Sequence, residues 1–243
     1  MNQQPSSLPA RSKPEAIREM FNAIAPTYDM LNHLLSFGLD ILWRKKAVTL
    51  LKEKHHKDFL DIAAGSGDLA FDVLRLHPRT LVATDFAYNM LTVLQRKIEQ
   101  RNITPSPLVV SCDALHLPFK SESFDATMVA FGIRNFADRL QSLKEMHRVL
   151  RPDGISLILE LTTPTVPIVK EAYSFYSKQI LPMIGELISQ HNSAYSYLPA
   201  SISNFPPAAE FTALMKQAGF AEVTVHSLSF GVATIFVGRK TAT

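Results

Sequence analysis

The chain has 243 residues, 47% of them hydrophobic and 19% charged, with a formal net charge of +3, proportions that suit one globular α/β domain with additions and exclude a disordered or fibrous chain. Its only cysteine, Cys112, excludes an internal disulfide framework and argues for a reducing, cytoplasmic setting. No Lys/Arg cluster with interleaved aromatics supports a nucleic-acid partner, and no run of about 20 apolar residues would span a bilayer.

Residues 1–13, rich in Gln, Ser and Pro without an apolar run, read as a loose tail and not a signal peptide. From Pro14 to about Lys54 the periodicity is helical. Ile17, Met20, Phe21 and Ile24 recur at three- and four-residue steps, Pro26-Thr27-Tyr28-Asp29 restarts the pattern into Leu31, Leu34 and Leu35, and Gly38 breaks it. Trp43 to Leu51 forms a further helix. Because 14–54 precedes the first strand, it is expected to be a cover added to the main domain, 55–243. His55-His56 falls in a polar Lys-rich turn, and the eight histidines show no metal-ligand spacing, so no metal is expected.

The first strand carries the chemistry. Phe59-Leu60-Asp61-Ile62-Ala63-Ala64 runs into Gly65-Ser66-Gly67-Asp68, and a helical pattern (Leu69, Ala70, Phe71, Val73, Leu74) takes over. A strand entering a glycine turn and leaving as a helix lets backbone N–H groups approach a ligand. Nicotinamide and flavin enzymes use a similar turn. Here the flanking acids discriminate: Asp61 and Asp68 would repel a pyrophosphate, whereas S-adenosyl-L-methionine brings a sulfonium and an ammonium. The plain alternative is that Asp61 caps the following turn.

Arg79 to Asp85 reads as the second strand, with Asp85 24 residues after Asp61. In doubly wound folds an acid at this point binds the ribose hydroxyls, and the same residue could cap the helix Tyr88 to Glu99. Pro105 and Pro107 lead to strand three, Leu108 to Cys112, in which Cys112 is expected to be buried, and Asp113 follows it. Three successive strands thus end in Asp61, Asp85 and Asp113 along one carboxyl edge, where ligands of such sheets bind. Strand four, Phe124 to Phe131, is nearly all apolar, as a central strand should be, and exits into Gly132-Ile133-Arg134-Asn135-Phe136. The helix Leu140 to Leu150 places His147 beside core positions, where a satisfied, partly buried histidine fits better than a catalytic one. Arg151-Pro152-Asp153-Gly154 reads as a turn before strand five, Ile155 to Leu161.

Residues 162–206 interrupt the alternation. Val166 to Gln190 reads as helical, apolar and aromatic, with Pro182 as a kink or boundary. Packing on the sheet, a homodimer interface, a hydrophobic pocket wall and peripheral contact with an anionic membrane surface all stay open for this insertion. Pro206-Pro207 opens a last helix, Ala208 to Ala218, followed by strands Val223 to Phe230 and Val232 to Arg239 joined at Gly231. The hairpin makes a mixed sheet of seven strands.

The glycine turn, Asp85, Asp113-Ala114-Leu115-x-Leu117-Pro118-Phe119 and Arg148 to Gly154 resemble class I S-adenosylmethionine-dependent methyltransferases. More narrowly, three stretches resemble the demethylmenaquinone/ubiquinone C-methyltransferases: Phe21-Asn22-x-Ile24-Ala25-Pro26-x-Tyr28-Asp29-x-Leu31-Asn32, Phe131-Gly132-Ile133-Arg134-Asn135, and Tyr195-x-Tyr197-Leu198-x-x-Ser201-Ile202-x-x-Phe205-Pro206. The resemblance runs from about Pro14 to Lys240 and implies a Rossmann-like fold, S-adenosyl-L-methionine as co-substrate, and a lipophilic polyprenyl quinol as methyl acceptor. Carried over, the cofactor positions fall on Gly65, Ser66 and Gly67, on Asp85 for the ribose and on Asp113-Ala114 for the adenine, with Asp61 facing the amino-acid end. Ser66 stands where Thr is usual, Ala64 and Ala130 replace residues that are often Cys or Gly and Ser, Asp153 interrupts a Pro-Gly-Gly turn, and Gln190-His191-Asn192 replaces a Gly-Asp pair.

A quinol carbon is a poor nucleophile until a neighbouring hydroxyl loses its proton. The reading therefore requires a site that favours the phenolate and aligns the carbon with the donor methyl at about 3–3.5 Å. Arg134 is expected to stabilise the phenolate or to orient a water that takes its proton, and Asn135 to hydrogen-bond a quinol oxygen. Tyr28, Asp29, His33 and Tyr197 could complete the site when the covers close. Two other classes stay open: a nicotinamide oxidoreductase, opposed by the acids, and a non-catalytic quinone-binding scaffold. A methyltransferase for another apolar molecule is separated only by the resemblance.

Overall fold

The alternation of apolar strands and amphipathic helices produces a single seven-stranded sheet in the order β3-β2-β1-β4-β5-β7-β6. A computed structural model describes residues 12–52, 57–164, 166–176, 179 and 192–242. The strands are β1 Asp58–Ile62, β2 Thr80–Asp85, β3 Leu108–Ser111, β4 Phe124–Ala130, β5 Leu150–Leu161, β6 Glu222–Leu228 and β7 Ala233–Arg239. Neighbours from β3 to β5 pair in parallel, and β7 runs antiparallel between β5 and β6, so the expected mixed sheet with a C-terminal hairpin is present.

Strand alternation sends successive residues to opposite faces, and both faces are buried. One core layer sets Phe59, Met128 and Leu157 against helices α3 (Leu39–Lys52), α4 (Asp68–Val73) and α5 (Tyr88–Gln100). The other sets Leu60, Val129 and Ile158 against α6 (Arg139–Val149) and a C-terminal helix, Ala208–Gln217. Trp43, Ala47, Val48 and Leu51 of α3 belong to the first layer, so the prefix does more than cover the edge. Ahead of α3 come α1 (Lys13–Ile24) and α2 (Tyr28–Leu35), linked by a 3-10 turn. Glu15 starts α1 by accepting from the Ser12 amide and hydroxyl at 3.0 and 2.9 Å.

Two expectations are corrected. Arg151 to Gly154 is not a separate turn but part of β5, which pairs Phe124↔Leu150 and then Ala126↔Ile155 across a register shift. The extra residues bulge, with Asp153 at φ +63°. A Cβ at Gly154 would lie 2.8 and 2.9 Å from the carbonyl oxygens of Arg151 and Asp125, which is why a glycine sits there. Cys112 lies just past β3 and is half-buried rather than a buried strand residue.

Of the insertion, α7 (Pro167–Phe175) and α8 (Asn192–Ser203, with Pro199 inside) are seen, the C-terminal helix then being α9. The Pro182 kink, the apolar run from Ile180 to Ile188 and His191 lie outside the described residues, as do His55-His56 and residues 1–11 of the expected tail. Among the described residues no helix is long and apolar enough to cross a membrane.

Candidate active site

Because β1, β2 and β3 are parallel and in register, their last residues share one edge, and a cavity of about 150 Å³ opens there. Gly65, Asp85, Asp113, Ala114 and Asn135 line it, with Ile17, Phe21 and Tyr28 closing it from the prefix. Cys112 is also in its wall.

The acids at this edge are held by backbone, not by cations. Asp85 accepts from the amides of Gly65 (2.8 Å) and Ala87 (2.7 Å), and Asp113 accepts from the Leu115 amide at 2.9 Å. Asp61 is fully buried behind the cavity wall, and neither carboxylate oxygen has a hydrogen-bond partner among the described residues. Burial, and then the charge of Asp85, push the Asp61 carboxyl well above the usual carboxylate range. Burial also raises Asp85, with the Ala87 and Gly65 amides pulling it back. Asp85 and Asp113 stand in the cavity wall without an ion pair among the described residues, which makes this edge receptive to a cation.

Within the glycine turn the residues divide by task. Gly65, at φ +56°, lets the backbone face the cavity, where a Cβ would sit 3.7 Å from the Tyr28 ring. Gly67 adopts φ +92°, and a Cβ there would collide with Leu94 of α5 at 2.2 Å, so its need is conformation and packing. Ser66 is buried, is not part of the cavity lining, and donates its hydroxyl to Asp29 of α2. Asp29 also pairs with Lys97 of α5, which reaches Asp68 at 3.2 Å. Further along, Arg44 bridges Asp40 (2.7 Å) and Asp68 (3.3 Å), and His33 bonds Asp40 at 2.7 Å. His33, Asp40 and Asp68 bring their ligating atoms within 4.8 Å of one another, but the Arg44 guanidinium lies among them, so the group reads as an ion-pair network.

A second cavity, of about 360 Å³, lies between the prefix and the insertion. Its wall is apolar and aromatic: Leu35, Trp43, Leu161, Tyr176, Leu198 and Ile202 contribute. Tyr28 and Phe131 line both cavities, so the two are neighbours across that pair. Phe131 holds a left-handed backbone, φ +59°, rare for an aromatic residue and typical of functional corners. Burial raises the Tyr28 hydroxyl above its ordinary pKa, against the opposing pull of Arg134.

Arg134 lines the second cavity, and Asn135 the first. Tyr197 of α8 donates to Asn135 Oδ1 at 2.8 Å. Arg134 is 8% exposed and already carries a counter-charge, Glu160, whose Oε1 accepts from Nη1 at 2.8 Å. Burial works against its charge, but Glu160, together with Tyr28 and Tyr197, more than offsets this and raises the guanidinium above its ordinary pKa. Glu160 went unnoticed in the sequence, although a lone acid inside an apolar strand is the available signal.

The sites expected from the sequence thus group as follows. Gly65, Asp85, Asp113, Ala114, Asn135 and Tyr28 share one cavity wall, and Tyr28 and Arg134 share the other. Asp61, Ser66, Gly67, Asp29 and Tyr197 stand outside both linings, in contact with residues that form them or with the turn.

Comparison with known proteins places these features in a family. Residues 10–240 match the model of the ubiE/COQ5 methyltransferase family. A ubiquinone/menaquinone biosynthesis C-methyltransferase UbiE from Geotalea uraniireducens is 44% identical, over 94% of this chain and 97% of its own. A demethylmenaquinone methyltransferase from Bacteroides fragilis is 40% identical over 94% of each. Among solved structures, a SAM-dependent methyltransferase from Thermotoga maritima aligns with TM-score 0.65 at 18% identity, covering 92% of this chain and 99% of its own. The [4+2]-cyclase SpnF aligns with TM-score 0.70 at 14% identity, covering 98% and 100%. The structural likeness shows the class I methyltransferase fold alone, and the sequence matches carry the rest: this chain belongs to the ubiE/COQ5 methyltransferase family.

Proposed function

We propose that this chain methylates a ring carbon of a demethylated quinol, using S-adenosyl-L-methionine as donor, in the manner named for its relatives from Geotalea uraniireducens and Bacteroides fragilis. One observation carries the reading. A cavity whose wall carries Asp85 and Asp113, without an ion pair among the described residues, abuts a larger apolar cavity, and among the described residues the two share Tyr28 and Phe131 in their walls. A cationic polar molecule suits the first, a flat oily one the second.

The residues at the first cavity fit the donor. Asp85 is the hydroxyl acceptor for its ribose, Asp113 and Ala114 flank its adenine, and the Gly65 backbone admits close approach. Burial disfavours the charge of the Asp61 carboxyl, and the donor's ammonium would supply the counter-ion that restores it. When bound, the donor brings a sulfonium methyl already activated for transfer. The chain's own contribution is to position the acceptor and to favour its phenolate. Arg134, reached from the apolar cavity, hydrogen-bonds the acceptor oxygen and favours its phenolate, and Asn135, braced by Tyr197, and Tyr28 orient the ring. The methyl–sulfur bond would break as the new carbon–carbon bond forms, releasing S-adenosylhomocysteine, and the ring carbon's proton would then return to the oxygen that Arg134 holds, restoring the phenol. Apolar walls of Trp43, Phe131 and Leu161 exclude water from that step.

The test is direct. Purified protein is incubated with isotopically labelled S-adenosyl-L-methionine and, separately, a demethylated naphthoquinol and benzoquinol. Mass spectrometry should find one labelled methyl on a ring carbon of at least one of them. Quinol binding without any transfer would replace this reading with that of a quinone-binding scaffold.

A further inference from the structure

We propose that Glu160 is a positioning residue of the acceptor site: it aims the Arg134 guanidinium and cancels its charge, so that the acceptor hydroxyl meets a donor inside a neutral pair. This rests on the second cavity being the acceptor site.

The geometry is specific. Glu160 is the next-to-last residue of β5 and fully buried. One carboxylate oxygen, Oε2, accepts from the Arg134 amide at 3.0 Å. The other accepts from Arg134 Nη1 and from the Leu161 amide, both at 2.8 Å. Glu160 thus grips both the backbone and the side chain of the residue it serves. The remaining guanidinium contacts complete the hold: Nη1 also donates to the Phe131 carbonyl, and Nε donates to Ser201 Oγ at 3.2 Å. Ser201 is fixed in turn by donating to the Leu198 carbonyl at 2.8 Å. Nη2 alone makes no hydrogen bond to a described residue, which leaves it as the donor for a ligand in the cavity that Arg134 lines.

Stability alone does not call for this arrangement. A buried ion pair is often matched or bettered by well-packed apolar residues. Here the pair also braces Phe131, whose strained backbone separates the two cavities. An unbalanced arginine would over-stabilise the phenolate and repel a cationic donor next door. The charged and titratable groups facing the pair are Tyr28 from α2, Tyr197 from α8 and Arg139 from α6, with Asp85 facing Tyr28. Among these, Glu160 is the carboxylate in contact with Arg134.

Glu160→Gln keeps the shape but offers one acceptor oxygen where the carboxylate offered two, and removes the charge. Glu160→Asp keeps the charge on a shorter arm. The probe is 1-naphthol, whose ionised and neutral forms differ in absorbance, titrated on the ligand-free protein. In Glu160→Gln the naphtholate-to-naphthol ratio at fixed pH should rise about tenfold, the equivalent of one pKa unit. In Glu160→Asp that ratio should stay at the wild-type value. In turnover, kcat should fall at least about tenfold in Glu160→Gln and less in Glu160→Asp, with KM for the donor within about twofold; losses of this size are those of a misaligned reactant. Ser201→Ala, which loosens the guanidinium without touching the charge, should lower kcat a few-fold and leave naphthol ionisation alone.

Wild-type ionisation and wild-type kcat in Glu160→Gln would overturn the assignment. Should circular dichroism show that the Glu160 variants do not fold, an unchanged kcat in Ser201→Ala overturns it instead. A wild-type protein that binds no naphthol and methylates no quinol sinks the acceptor-site reading itself.

Discussion

Asp85 shows how much one residue can be asked to do. Its carboxylate closes the glycine turn through the Gly65 amide and starts α5 through Ala87, while lining the first cavity. Each oxygen retains a second lone pair for a ribose hydroxyl. Asp85→Ala should therefore weaken S-adenosyl-L-methionine in calorimetry by at least about tenfold, or about 1.4 kcal/mol. It should also lower Tm, since two backbone donors lose their acceptor. Undiminished affinity in the folded variant would remove the ribose assignment. This residue was legible because its position is fixed by simple rules: a strand end, a set distance past the glycines. Glu160 was not, because nothing in Ile155-Ser156-Leu157-Ile158-Leu159-Glu160-Leu161 says that a guanidinium 26 residues earlier folds back over it. The partner of the Ser66 hydroxyl was illegible for a related reason, since Asp29 arrives from outside the sheet.

At the scale of elements, the opposite edge of the sheet is sewn by charge. Asp58 at the start of β1 accepts from Arg79 Nε at 2.9 Å and Arg151 Nη1 at 2.8 Å, and Arg151 reaches on to Asp125 of β4 at 2.7 Å. The Arg79 hydrogen bonds, opposed by burial and helped by Arg151, lower the Asp58 carboxyl from 3.8 to about 2. A depressed folded-state pKa stabilises the protein above the unfolded value, and the stabilisation is lost as pH falls through the folded one. Asp58→Asn should therefore lower stability at neutral pH. Between about pH 4 and pH 2 the gap to wild type should close, which urea unfolding across that range would record. A gap that persists at the acid end would mean the loss is one of packing or hydrogen bonding, not ionisation. Arg151 also explains why the turn expected before β5 is absent: its guanidinium is committed to Asp58 and Asp125, and the bulge through Asp153 and Gly154 keeps it there within a continuous strand. Strand order and the three acids at the carboxyl edge follow from alternation and handedness. A bulge set by long-range ion pairs does not.

For the whole molecule, the fold leaves the chemistry undetermined, since a cyclase and a methyltransferase share it. The helices of the prefix wall both cavities from residues over a hundred positions away from α7 and α8. No local pattern in the sequence announces a cavity built that way. Two of the contacts that pin the prefix to the main domain flank Tyr28. Asp29 engages Ser66 and Lys97, and Asn22 takes the Asn89 amide at 2.9 Å and its side-chain N–H at 3.1 Å. Tyr28 stands between these points and faces both cavities, so a ligand on either side presses on the same helix. Occupancy of one cavity should therefore favour the other. S-adenosylhomocysteine, which lacks the transferable methyl, and 1-naphthol should each bind about fivefold tighter when the other is present, near 1 kcal/mol of coupling, and by the same factor in either order of addition. Lys97→Met keeps the apolar stem but leaves Asp29 only its Ser66 partner among those named here, and should bring the factor close to one while each ligand alone still binds. Independent binding in the wild type would show that the prefix is a static wall. Coupling that survives in Lys97→Met would locate the linkage in the Phe131 corner rather than in the helix that Asp29 anchors.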